Sequence, residues 1–143
     1  MRSPGSTLKP LIYAMAIDQG LVLPETVILD IPATYAGYAP KNYDGNFQGL
    51  VTLESALSQS LNIPFVRLLQ RLNVEHFLGT LQSMGVNSLQ AKPGFYGLSA
   101  AIGGLGTVTL HVEADGMDGP AVVHSFRIGL KTPLARCMAA WCD

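Results

Sequence analysis

Between Ser6 and Asp18 (STLKPLIYAMAID), apolar residues fall at positions 8, 11, 12, 15 and 16, the spacing of a helix face. Pro10 is tolerated only in a first turn, where backbone N–H groups lack intrahelical partners. The pattern therefore predicts a helix starting near Ser6 and closing near Gly20, a residue suited to the C-terminal cap. Residues 21–50 carry no sustained period. Pro24, Pro32, Pro40, Gly37, Gly45 and Gly49 punctuate them, together with Tyr35, Tyr38, Tyr43 and Phe47, which predicts an ordered loop with short extended pieces. Thr52 is a candidate N-cap for a second helix over LESALSQSL, interrupted at Asn62-Ile63-Pro64. Pro64 suits the first position of a third helix, FVRLLQRL, and a fourth is expected from Val74 to Met84, stopping at Gly85. Gly97 to Gly106 (GLSAAIGGLG) is small and glycine-rich, suited to close backbone packing. The pattern is thus mostly helical up to Leu110, with no internal repeat. The last 33 residues show no sustained periodicity and hold both cysteines, the only tryptophan and two of the three histidines.

Composition narrows this picture. A chain of 143 residues accommodates one domain with a sizeable core. With 48% hydrophobic and 13% charged residues and a formal net charge of -1, it is globular rather than disordered. No basic cluster is present to neutralise phosphates, which argues against nucleic acid as a partner. No run of about 18 apolar residues provides a membrane segment, and Met1 to Gly5 lacks the apolar stretch of a secretion signal. If the protein works outside the cytoplasm, export and anchoring information is expected on other sequence. Cys137 and Cys142 match neither a C-x-x-C redox pair nor a zinc half-site, and the histidines at 76, 111 and 124 have no partner at ligand spacing. No metal site is expected.

Chemistry enters at Ser6-Thr7-Leu8-Lys9, which has the form S-x-x-K. A serine hydroxyl is a poor nucleophile and needs a nearby base. Residues i and i+3 share a helix face, so a lysine amine can approach the serine oxygen. An ordinary lysine is protonated at neutral pH, so burial and hydrogen bonding would have to lower its pKa. A serine at a helix N-terminus also has backbone N–H groups close to an oxyanion position. The plainer alternative is that Ser6 simply caps a helix.

The flanks decide between them. Arg2-Ser3-Pro4-Gly5-Ser6-Thr7-Leu8-Lys9-Pro10 closely resembles the active-serine segment of class A (bifunctional) penicillin-binding proteins, most of all their 1C subtype. A second element, Ser60-Leu61-Asn62 within A-L-x-x-S-L-N-I-P, resembles the S-x-N motif of the same family. Tyr38-x-Pro40-x-Asn42-Tyr43-Asp44-Gly45, Gly49-x-Val51-Thr52-Leu53 and Gly97-Leu98-Ser99 with Ile102-Gly103-Gly104 extend the likeness over about residues 2–110. The resemblance implies a peptidoglycan D,D-transpeptidase working by serine acyl transfer. Ser6, not Ser3, would be the nucleophile, Lys9 its base, Ser60 a proton relay and Asn62 a substrate-holding residue. It implies D-Ala-D-Ala stem peptides and β-lactams as partners and no cofactor. It also implies a membrane-anchored parent enzyme acting outside the cytoplasmic membrane, on its periplasmic face.

The pattern then fails. The family's third element, K-T-G, has only Lys131-Thr132-Pro133 as a candidate, and proline offers no backbone N–H, so the match is read as coincidence. The expected fold is a mainly α fragment of the α/β serine transpeptidase (β-lactamase-like) fold, with most of the central sheet missing and helix faces left without their cover. Residues 1–110 are expected to form a partial transpeptidase domain and 111–143 a divergent or frame-shifted tail. Such a truncated fragment is expected to have little activity alone. The alternatives are a non-catalytic helical scaffold or degenerate fragment, and a D,D-carboxypeptidase or β-lactamase that passes the acyl group to water; the second fits the flanking motifs poorly.

Overall fold

A computed structural model describes residues 5–84, 86, 89 and 96–105. The Lys131-Thr132-Pro133 run, both cysteines, His111, His124, the tail from 111, the cap at Gly85 and the flank before Gly5 lie outside the described residues.

The first predicted helix divides in two. Gly5–Leu8 form a 3₁₀ turn, and α1 runs from Lys9 to Asp18 with Pro10 in its first turn. The helical pattern was read as starting near Ser6, but the α-helix proper begins three residues later. Gly20 closes α1 as expected, at φ +69. The Gly20 N–H donates to the Ile17 carbonyl and the Leu21 N–H to that of Ala16, so two orphan carbonyls are satisfied by a left-handed residue.

The loop region contains an antiparallel pair, β1 (Val27–Asp30) and β2 (Gly49–Thr52), in the register Val27–Thr52 to Asp30–Gly49. Between them, Tyr35 and Tyr38 exchange both backbone hydrogen bonds at 2.8 Å across Ala36 (φ +46) and Gly37 (φ +87). Positive φ at both central residues is the signature of a type I′ turn. β1 alternates, with Ile28 and Asp30 inward and Val27 and Leu29 outward.

Thr52 caps α2 (Leu53–Ser58) as expected, its hydroxyl accepting from the Ser55 N–H. The third helix begins earlier than the proline suggested: α3 spans Asn62–Leu72, with Asn62 rather than Pro64 as its first residue. Pro64 is still harmless there, because the first-turn N–H it lacks would have no intrahelical acceptor. α4 (Val74–Ser83) follows after Asn73, whose side chain accepts from the Glu75 N–H.

The core is built around α1 and α3. Eight residues of α1, from Lys9 and Leu11 through Ile17, are buried, so this helix is enclosed rather than left bare. Phe65, Leu68 and Leu69 of α3 and Phe77 and Leu81 of α4 complete the centre. A second 3₁₀ turn, Leu98–Ile102, lays Ala100 and Ala101 among the same core residues, the close packing its composition predicted. The expectation of uncovered helix faces is corrected here: among the described residues the exposed large apolar side chains are Leu21, Leu23, Val27, Leu29, Ile31, Tyr43 and Leu50, on the hairpin strands and in the loops beside them rather than on the helices. The two-stranded sheet and surrounding helices fit the expected mainly α fragment of the transpeptidase fold.

Two glycines make the packing testable. A Cβ on Gly104 would meet the Ser99 backbone oxygen at 2.8 Å, whereas one on Gly79, inside α4, would meet nothing within 4 Å. Gly104→Ala is expected to cost about 1–3 kcal/mol through overpacking. Gly79→Ala is expected to add about 0.5–1 kcal/mol from helix propensity. Urea unfolding of the two variants checks both signs.

Candidate active site

The residue that anchors the site is Lys9. As the first residue of α1 it emerges from the 3₁₀ turn with its side chain only 1% exposed. Burying an amine is costly unless its protons find acceptors. Lys9 Nζ donates to the Ser60 carbonyl at 2.6 Å, to Asn62 Oδ1 at 2.7 Å and lies 3.0 Å from Ser60 Oγ. It also stands 5.9 Å from the centre of the Phe65 ring, a favourable place for a cation.

The partners are not equivalent. The carbonyl and the amide oxygen only accept, while a hydroxyl can accept or donate. An ammonium uses all three as acceptors. A neutral amine keeps the two short bonds and turns its lone pair to receive the Ser60 hydroxyl proton. Both protonation states therefore fit one geometry. Burial lowers the Lys9 pKa from its ordinary 10.5 to about 8. At pH 7 the neutral fraction rises from about one in three thousand to about one in ten.

Ser60 reaches Lys9 because of how α2 ends. The Ser60 N–H donates to the Leu57 carbonyl and the Leu61 N–H to that of Ala56, the same closure that Gly20 gives α1. Here the left-handed residue is a serine, at φ +53. Side chains pay for that conformation, and glycine is the usual occupant. The strain turns both the carbonyl and the hydroxyl of Ser60 toward one amine. Strained residues of this kind concentrate at functional sites.

Asn62, the first residue of α3, is held by the loop before β2. Its Nδ2 donates to the Lys41 carbonyl at 2.7 Å, and its backbone N–H to Asn42 Oδ1 at 2.7 Å. Asn42 is 5% exposed and in turn donates to the fully buried Asp30 carboxylate, 2.9 Å from each oxygen.

Ser6 lies in the 3₁₀ turn with an exposed side chain. It is not among the three hydrogen-bond partners of Lys9. The fold thus brings Lys9, Ser60 and Asn62 into direct contact, and sets Ser6 three residues before the lysine on the solvent side. Sequence reasoning passed over Asp30 and Asn42. Asn42 stood in the Tyr38-x-Pro40-x-Asn42 run without a role, and Asp30 fell in a segment read only as a loop with short extended pieces.

Comparison with known proteins converges on one family. The penicillin binding protein transpeptidase domain matches residues 1–108. Penicillin-binding protein 1C of Escherichia coli (strain K12) is 36% identical over 106 residues, which is 74% of this chain and 14% of that protein. Penicillin-binding protein 1F of Bacillus subtilis (strain 168) is also 36% identical, over 73% of this chain and 14% of its own length. The chain therefore spans about a seventh of these relatives. The crystal structure of penicillin-binding protein 1A from Haemophilus influenzae superimposes with a TM-score of 0.60 at 28% identity, covering 74% of this chain and 16% of that one. Penicillin-binding protein A from M. tuberculosis, solved as an imipenem acyl-enzyme complex, shares the fold with a TM-score of 0.60 at 20% identity, over 76% of this chain and 29% of that one.

The strain at Ser60 has a measurable sign. Ser60→Ala loses the hydroxyl and keeps the left-handed penalty, whereas Ser60→Gly loses the hydroxyl and relieves it. Ser60→Gly is expected to be the more stable of the two by about 1 kcal/mol in urea unfolding. Equal stabilities would remove the strain argument.

Proposed function

Because this chain belongs to the transpeptidase-domain family of penicillin-binding proteins, we propose that it carries the acylation centre of a peptidoglycan D,D-transpeptidase. The observation that supports this most directly is the buried Lys9 amine shared by Ser60 and Asn62, three residues after an exposed serine.

In this reading the lone pair of neutral Lys9 turns from the Ser60 hydroxyl to that of Ser6 and takes its proton as Oγ attacks the penultimate carbonyl of a D-Ala-D-Ala terminus. The tetrahedral oxyanion collapses, the peptide C–N bond breaks, and the proton passes through Ser60 Oγ to the departing D-alanine amine. An amine of a neighbouring stem peptide then attacks the acyl carbon and gives its proton to Lys9, which returns one to Ser6 Oγ as the ester C–O bond breaks and the cross-link forms. Asn62, with an amide that donates and accepts, holds the substrate backbone beside Lys9. A β-lactam acylates Ser6 because its strained amide stands in for the same carbonyl. The chemistry calls for the neutral form of the base, which burial favours.

The parent enzyme, several times longer than this chain if it matches its relatives, is proposed to act on the outer face of the cytoplasmic membrane, where stem peptides are cross-linked. No helix among the described residues is long and apolar enough to cross a membrane. The family's K-T-G element would supply a further wall of the oxyanion site. Without it, acylation is expected to be slower than in a full-length relative by at least about 100-fold, the scale of losing one oxyanion donor.

Intact-mass analysis after incubation with benzylpenicillin tests the proposal. One slowly forming adduct is expected, absent in Ser6→Ala. Its rate should climb with pH and level off above about 8, as Lys9 loses its proton. In Lys9→Met the rise with pH should disappear. An adduct that persists in Ser6→Ala, or a folded chain that takes up none, would contradict it.

A further inference from the structure

The amine of Lys9 is oriented by Asn62, and Asn62 is oriented by groups that play no part in the chemistry above. We infer that Asp30 and Asn42 are positioning residues of this centre, setting the direction of every hydrogen bond between β1 and the lysine. The inference rests on the acyl-transfer reading for its purpose, but its geometry stands apart from it.

The chain of bonds begins with a carboxylate that has no exposure at all. Asp30 accepts from Asn42 Nδ2 at 2.9 Å on each oxygen and from the Gln48 N–H at 2.9 Å. An ionised carboxylate only accepts, so Asn42 must present its NH₂ group to it. The second proton of that group goes to the Asn46 carbonyl, also at 2.9 Å. Asn42 is thereby left with one free end, Oδ1, which faces the N–H of Asn62 at 2.7 Å.

That N–H needs an outside acceptor. It belongs to the first residue of α3, where no intrahelical carbonyl is within reach, and the N-cap residue Leu61 has no side-chain acceptor to offer. Asn42 supplies the missing cap from 20 residues away. Lys41, its neighbour, takes the Asn62 Nδ2 at 2.7 Å, so Asn62 Oδ1 is the end turned to Lys9. Two adjacent loop residues thus grip Asn62 by backbone and by side chain, and the polarity of the whole array is dictated by the accepting oxygens of Asp30.

Asp30→Asn reverses the source while keeping the shape. Its amide oxygen can still serve the Gln48 N–H, which points its NH₂ group at Asn42. Asn42 must then turn its oxygen inward and bring its own NH₂ against the Asn62 N–H, donor against donor. Asn42→Ser removes the middle link and leaves room for water.

Lysine labelled with ¹⁵N, observed at about pH 6 where Lys9 is charged, reads the outcome without requiring turnover. In the native chain the Lys9 ammonium protons are expected to exchange slowly enough to be seen, with Lys9→Arg providing the assignment. The Asn62 amide should be protected at least about 100-fold over an exposed amide despite its place at a helix start. In Asp30→Asn and Asn42→Ser the Lys9 protons should exchange at least about tenfold faster, and penicillin acylation of Ser6 should fall at least about tenfold. A folded variant whose Lys9 exchange stays within about twofold of native would overturn the inference, as a merely structural role would leave it there. Should neither variant fold, the native Asn62 amide decides alone: exchange at the rate of an exposed amide overturns it. If native chain takes up no penicillin, the acyl-transfer reading falls, while the Lys9 and Asn62 signals still decide the positioning role.

Discussion

An amine at the start of α1 has to be buried, and three oxygens of the α2–α3 turn have to be there to receive it. Much of the described structure follows from that requirement. α2 stops at Ser58 so that Ser60 can adopt the left-handed conformation that aims both its carbonyl and its hydroxyl at Lys9. α3 starts at Asn62, two residues before its proline, so that the first side chain of the helix faces the same amine. The packing of α1 on α3, in the core cluster that holds Phe65 and Leu69, fixes the distance between lysine and turn. An unpaired amine in this position would be a heavy cost to the fold, and an exposed one would be an ordinary, protonated lysine.

Energetics and chemistry point the same way. Lys9 loses hydration on folding, so its charged form is disfavoured and its pKa falls to about 8. The unfolded chain therefore binds more protons than the folded one between about pH 8 and the ordinary lysine value, and stability contributed by this group grows as pH rises through that window. The protein accepts a less favourable folded state at neutral pH, and the amine it holds there gives up its proton more readily than an exposed lysine. The left-handed serine is a second concession of the same kind, small in free energy and located at the same centre.

Much of this was legible in the residues. S-x-x-K and S-x-N named Ser6, Lys9, Ser60 and Asn62, and the fold joins the last three by direct hydrogen bonds. Thr52 and Gly20 announced their caps by residue type alone. The starts of α1 and α3 were displaced because proline marks a permitted first turn without specifying which position within it. The hairpin was read only as extended pieces, since four-residue strands carry too few alternations to fix a register. Asp30 and Asn42 were invisible for a different reason. Their partners lie 12 to 20 residues apart across a loop, and no local period couples a buried carboxylate to a helix N-terminus that it never touches.

The most direct test of the central claim is a titration of Lys9 itself, followed through its ¹³Cε chemical shift in chain carrying labelled lysine. A midpoint near 8 is expected, more than a unit below the ordinary lysine value of 10.5. A Lys9 midpoint near the ordinary 10.5 would mean that the amine is solvated and charged at neutral pH, and the account of a buried base at this centre would be wrong.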